Sequence, residues 1–320
     1  MNSKTHIEVR RISSEEWGCL YETSLQASPF SHPDYIAGTQ SSPEYWGVFY
    51  KKQIACGVVF MTQSDQPLQV GLWFTVYQSL LMARWLDESP PHTRGILIPR
   101  LIESLLQSVT AQYAKLHFSI HPSWRDMRPF QWLNYHKPED GLASIKLHYT
   151  ASLSLDGDIT SGLNDSRRGD LKRAQKAGLT FSIGDDLASF VPLYIKTFSK
   201  HGHETSEETQ RSVARTAEVA IRHNLGWLHF CRSRENLVIG AVLILFDKET
   251  AYYLIAGNDP EYRNTGAGTA LLLESILEAK RRGLKYFDFI GVNSPQRGEF
   301  KLGFGGELKP YFSTLWTSLR

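Results

Sequence analysis

Apolar residues along the chain follow two rhythms, and their alternation is clearest in the stretch from Ala251 to Ile290. Ala251 to Ala256 (AYYLIA) is a β-rich apolar run that Gly257, Asn258, Asp259 and Pro260 break. From Thr269 the period becomes helical, with Leu272, Ile276 and Ala279 on one face and Leu273 and Leu277 beside them. Lys280, Arg281 and Arg282 close that helix, where cations complement its dipole, and Gly283 is the expected left-handed stop. Leu284 to Ile290 (LKYFDFI) predicts a second strand. Strand, helix and strand with short joints predict a parallel, right-handed crossover unit.

The same order recurs earlier in the chain. Ile7 to Ile12 reads as a strand, and Ser13 followed by Glu15, Glu16 and Trp17 reads as a capped helix start. Trp46 to Tyr50 and Gln53 to Phe60 predict a hairpin turning at Lys51 and Lys52. A β-rich aromatic run (Gln69 to Leu80), a helical period (Ile96 to Gln112) and the strand Lys115 to Ile120 (KLHFSI) follow. In the second half, Trp227 to Arg232 and Leu237 to Phe246 predict another hairpin, ahead of the Ala251 strand. Hairpin, strand, helix and strand thus occur twice, which predicts two copies of one α/β domain with mixed sheets. Ala143 to Leu155 reads as a strand ending at a break at Gly157, so the expected domains are residues 1–155 and 156–320.

The copies differ ahead of their long helices. The second has Arg263-x-x-Gly266-x-Gly268, whereas the first has only His92-Thr-Arg-Gly95. A turn without side chains exposes the free amides of a helix start, and such a site holds phosphate. A phosphate cradle is therefore expected only in the second copy. Just after the domain boundary, Arg167, Arg168, Lys172, Arg173 and Lys176 crowd one short predicted helix. This is either a solvated face or a platform for an anionic substrate.

Composition narrows the classes without adding a motif. The chain has 320 residues, 42% hydrophobic and 21% charged, which is ordinary for two globular domains. Its formal net charge of +2 makes no demand for nucleic acid. Cys19, Cys56 and Cys231 lie far apart without metal spacing, so a reduced, cytoplasmic setting and no metal are expected. No stretch approaches about 18 uncharged apolar residues, the length a membrane span needs.

Arg263-x-x-Gly266-x-Gly268 between a strand and a helix resembles the coenzyme A pyrophosphate motif of the GNAT acyltransferases. With the basic helix and the segment Phe300-Lys301-x-Gly303-Phe304-Gly305-Gly306, the chain as a whole resembles the Fem-type branch, built from two tandem GNAT-like domains. The resemblance implies acyl or aminoacyl transfer to an amine. The intact glycine spacing argues for acetyl-CoA or another acyl-CoA as donor, and the chain's ending is associated with surface-polysaccharide and nucleotide-sugar pathways. The expected acceptor is a small-molecule amine, a nucleotide amino sugar by that analogy, with nucleic acid entering only if the donor is a charged tRNA. The alternatives are that Fem-type aminoacyl-tRNA-dependent transfer to a cell-wall peptide precursor and, from another class, a non-catalytic binding module.

Amine attack on a thioester builds negative charge on the carbonyl oxygen and positive charge on nitrogen, so the site needs donors for one and a proton acceptor for the other. By the resemblance, the frayed strand end at Leu254, Ile255 and Ala256 supplies amides to the acyl group. Arg263, Asn264, Thr265, Gly266, Ala267, Gly268 and Thr269 hold the pyrophosphate, and Lys301 meets phosphate or the developing oxyanion. His201, His203 and Asp288 are the candidate bases, because each residue type can titrate or accept near the reacting amine. Asn293, Arg297 and Phe300 are placed to bind acceptor from the second copy, and Asp126 and Arg128 from the first.

Overall fold

A capping box opens the first helix: the Glu16 amide donates to Ser13 Oγ at 3.2 Å, and the Ser13 amide donates to the Glu16 carboxylate at 3.0 Å. Local signals of this kind place most elements of the computed structural model, which describes residues 6–39, 42–61, 74–77, 80–199 and 205–318. The backbone divides into two units, residues 1–148 with 310–320, and residues 149–309.

The first unit contains β1 (Ile7–Arg11), α1 (Ser14–Thr23), α2 (Pro33–Thr39), β2 (Pro43–Tyr50), β3 (Gln53–Met61), β4 (Leu80–Met82), α3 (Arg84–Asp87), α4 (Pro91–Thr110), β5 (Lys115–Ser119), α5 (Arg128–Trp132) and the start of β6 (Ala143–Ser154). β1 to β4 form an antiparallel sheet in sequence order. Lys51 and Lys52 take φ of 50° and 68°, the left-handed pair that a two-residue hairpin turn needs. Leu101, Ile102, Leu105, Leu106 and Val109 of α4 bury their helical stripe with Trp46, Val48 and Phe60. Each such leucine contributes about 1.5–3 kcal/mol by leaving water.

The second unit holds the rest of β6, then α6 (Asp165–Ala177), β7 (Thr180–Gly184), α7 (Leu187–Ser199), α8 (Glu207–Arg222), β8 (Gly226–Arg232), β9 (Val238–Phe246), β10 (Thr250–Asn258), α9 (Ala267–Arg281), β11 (Tyr286–Asp288), α10 (Pro295–Leu302) and β12 (Glu307–Thr317), whose end returns to the first unit. Its strands run in the order β6-β11-β10-β9-β8-β7. Only β10 and β11 are parallel, joined by the α9 crossover; the other pairs are antiparallel. Leu272, Ile276 and Ala279 of α9 bury against a core with Trp227, Ile244 and Phe287.

Several expectations shift by a few residues. The division falls after His148 rather than at residue 155, and residues 310–320 join the first unit because β12 pairs with β5 through Ser313–Thr317. The LKYFDFI strand shrinks to three residues, since Ile290 and Gly291 turn to φ of 45° and 64°. Phe300 and Lys301 sit on α10. Most of the Gln69 to Leu80 run lies outside the described residues. Among the described residues no helix is long and apolar enough to cross a membrane.

Candidate active site

Two parallel strands that part company create the central feature of the second unit. β10 pairs with β11 only over Thr250–Tyr252 and Tyr286–Asp288, then continues to Asn258. At Leu254 the register of β10 against β9 slips, from Tyr253↔Ile244 to Ile255↔Leu243, so a bulge bends the strand at the parting point. The backbone of Leu254 to Gly257 is thereby released from parallel pairing. Gly257 has its own constraint: a Cβ there would meet the Tyr194 nitrogen and Leu193 carbonyl carbon of α7 at 2.5 and 2.6 Å, so only glycine lets α7 pass so close.

Lys301 stands where the strands diverge. Its Nζ donates to the carbonyls of Ile290 and Gly291, just beyond β11, at 2.6 and 3.0 Å. It also lies 5.2 Å from the ring centroid of Tyr253 on β10. Burial pushes the Lys301 ammonium down to about 8; the Asp288 charge opposes that shift and Arg297 adds to it. Asp288, at the end of β11, is 6% exposed. Its Oδ1 accepts the Thr150 hydroxyl at 2.6 Å and the Ile290 amide at 2.7 Å. Burial raises Asp288 to about 6, against the pull of those two bonds and of Lys301 and Lys309. Tyr253 is pushed up to about 12 by burial, so its phenol keeps its proton. The Arg297 charge reaches Tyr194, Tyr253 and Lys301 alike.

The glycine turn is not an open cradle. Gly266 takes φ of 80° and begins α9 without a side-chain cap, which leaves the first-turn amides available. The basic helix α6 lies on it, however, and a Cβ on Gly266 would overlap the Asp170 carbonyl oxygen. The Asp170 carboxylate accepts the Thr269 hydroxyl at 2.5 Å and pairs with Arg167 at 3.1 Å and with Arg173. The Arg167 and Asp170 side chains are only 14% and 13% exposed. Arg167 also donates to Thr269 at 3.0 Å and lies 4.6 Å over the Phe300 ring. An acidic side chain thus meets the positive end of α9.

The remaining sequence candidates scatter. Arg263 and Asn264 are exposed in the turn Pro260–Thr265, while Gly266, Ala267 and Thr269 are buried and Gly268 is half-buried. Asn293 Oδ1 accepts the Tyr149 amide at 2.7 Å, a bond that braces the loop after β11. Phe300 packs edge-on against Phe304 and lies beneath Arg167. Arg297 is exposed on α10. Asp126 and Arg128, in the first unit, pair with each other at 2.6 Å. His201 and His203 lie outside the described residues. Of the basic helix, Arg168 is spent on the carbonyls of Leu163 and Ser161. Sequence reading passed over Asp170, Tyr253, Tyr194 and Ile290. Only Asp170 left a signal, as the lone acid three residues from both Arg167 and Arg173.

Residues 164–302 match the acetyltransferase (GNAT) domain. No curated protein matches the sequence significantly. Among solved structures, that of FemX superposes with a TM-score of 0.65 at 11% identity, over 95% of this chain and 96% of its own. A tandem GNAT protein from the clavulanic acid biosynthesis pathway, solved without AcCoA, gives 0.58 at 10% identity over 98% and 99%. A GCN5-related glucosamine N-acetyltransferase region of a fungal multi-domain GH3 β-N-acetylglucosaminidase gives 0.52 at 13% identity, over 98% of this chain and 38% of that one. Residues 164–302 therefore resemble a GNAT acetyltransferase domain, and the chain shares its fold with FemX and with a tandem GNAT protein.

Proposed function

We propose that the protein is an acyl-CoA-dependent N-acyltransferase, acting in the cytoplasm on an amino group of a surface-polysaccharide or nucleotide amino-sugar precursor. The observation that carries this reading is the parting of β10 and β11 at the Leu254 bulge with Lys301 set between them. A thioester laid along Leu254 to Gly257 meets free backbone amides on one side and an ammonium on the other. The amine nitrogen attacks the carbonyl carbon, the oxygen takes up negative charge, and Lys301 with the strand amides stabilises it. The C–S bond then breaks, the thiolate leaves with coenzyme A and accepts a proton, and the amide nitrogen sheds one to solvent. The Tyr253 phenol, protonated at any working pH, is the nearby proton source for the thiolate and recovers a proton from solvent, which balances the one the amide nitrogen sheds. The amino-sugar acceptor draws support from the glucosamine N-acetyltransferase region that shares this fold, and Arg297 offers its phosphate a bidentate partner.

A second reading has its own observation. The Asp170 carboxylate lies against the first turn of α9, where the pyrophosphate of coenzyme A is expected, and so favours a donor whose phosphates bind elsewhere. Aminoacyl-tRNA is that donor under the likeness to FemX. A melting curve separates the two. Acetyl-CoA at about a hundredfold above its dissociation constant raises stability by roughly 2.7 kcal/mol under the first reading. No shift with any acyl-CoA, together with tRNA binding that weakens steeply with salt, transfers the case to the second.

A further inference from the structure

Ile290 is the only β-branched residue among the described non-glycine positions with positive φ. A β-branched side chain resists that region more than most, so something must hold it there. Two bonds do. Its amide donates to Asp288 Oδ1 at 2.7 Å, and its carbonyl accepts from Lys301 Nζ at 2.6 Å. The next carbonyl, of Gly291, accepts the same ammonium at 3.0 Å. Behind the bend, Thr150 on β6 donates its hydroxyl to the same Asp288 oxygen at 2.6 Å.

We propose that Asp288 is a positioning residue for Lys301: it pins the strained Ile290–Gly291 bend so that both carbonyls face the ammonium and fix it between β10 and β11. This rests on Lys301 being the group that meets the developing oxyanion. Asp288 is badly placed as a general base, because it is enclosed and its Oδ1 already serves two donors. As a support it acts twice on Lys301, through the dipoles of the two carbonyls and through its own charge. The charged groups facing Lys301 are Asp288 and Arg297; those facing Asp288 are Lys301 and Lys309. Of the charged groups facing it, only Asp288 favours the protonated lysine, so its removal leaves the ammonium with its two carbonyls and the opposing Arg297 charge.

The test reads the proton affinity of Lys301 directly and needs no substrate. Lys301 is labelled with acetic anhydride across pH 6 to 10 and quantified by mass spectrometry of its peptide. In the wild type the expected midpoint of Lys301 is about 8. In Asp288→Asn the midpoint falls by about one unit, and labelling at pH 7 rises roughly fivefold. Should that variant not fold, Thr150→Val removes only one support of the carboxylate and shifts the midpoint the same way by less. An unchanged midpoint in whichever of these variants folds overturns the proposal. That result leaves the acyl-transfer reading standing, whereas absent acyl transfer with a shifted midpoint would leave this one standing.

Discussion

Replacing Asp170 with asparagine should lower stability and raise coenzyme A affinity at once, two effects of opposite sign from one atom pair. The carboxylate pairs with Arg167 and Arg173 and accepts the Thr269 hydroxyl, with the Arg167 and Asp170 side chains largely out of water. Breaking a buried ion pair costs about 3–5 kcal/mol, and the asparagine oxygen keeps the Thr269 bond, so the loss is about 2–3 kcal/mol. For a unit the size of residues 149–309, that lowers the melting temperature by roughly 4–12 °C. Removing a negative charge on the order of 5 Å from a bound pyrophosphate relieves about 1.5–3 kcal/mol of repulsion after screening, a gain of roughly 10- to 150-fold in affinity. Thermal melting and isothermal titration with coenzyme A measure the two effects. A variant that melts with the wild type refutes the role of this network in holding α6. A lower melting point with unchanged coenzyme A affinity refutes the assignment of the α9 start as the donor site.

Further consequences follow from the same geometry. Gly266→Ala, at φ of 80° and against the Asp170 carbonyl, should cost about 2–4 kcal/mol and speed amide exchange in residues 165–177; a wild-type melting point would contradict it. Lys301→Ala should abolish turnover with the true acceptor while binding of acyl-CoA changes little, which steady-state kinetics and titration resolve. His229, buried beside Ser275 and lowered to about 4 by desolvation, binds its proton more weakly than in the unfolded chain. Stability should therefore rise with pH between about 4 and 6.5, by about 3 kcal/mol, and His229→Gln should flatten that limb in urea titrations. Asp288, raised to about 6, has the reverse sign: the folded state holds its proton longer, so its contribution falls as pH rises from about 4 to 6. Asp288→Asn should remove that fall.

The elements that were legible in the sequence are those fixed by neighbours. The Ser13 capping box, the Lys51-Lys52 turn and the Gly283 stop after α9 depend on residues within one turn, and all three form where the sequence places them. The crossover β10-α9-β11 was legible for the same reason, since apolar period and glycine breaks are local. What was not legible depends on residues far apart in sequence. Asp170 meets Thr269 across 99 positions, and Thr150 meets Asp288 across 138. Without those contacts the glycine turn reads as an open cradle and Asp288 as a free carboxylate. The partners that hold Lys301 are backbone carbonyls, which leave no mark on a sequence. The early end of β11 likewise turns on a bend that isoleucine alone would not suggest.

The most direct test of the account is a crystal structure with a non-reactive thioether analogue of acetyl-CoA. The account predicts the acyl oxygen within hydrogen-bonding reach of Lys301 Nζ, the acyl chain along Leu254 to Gly257, and the pyrophosphate at Gly266 to Gly268 with Asp170 displaced. An analogue bound away from the parting of β10 and β11, or not bound at saturating concentration, would contradict it.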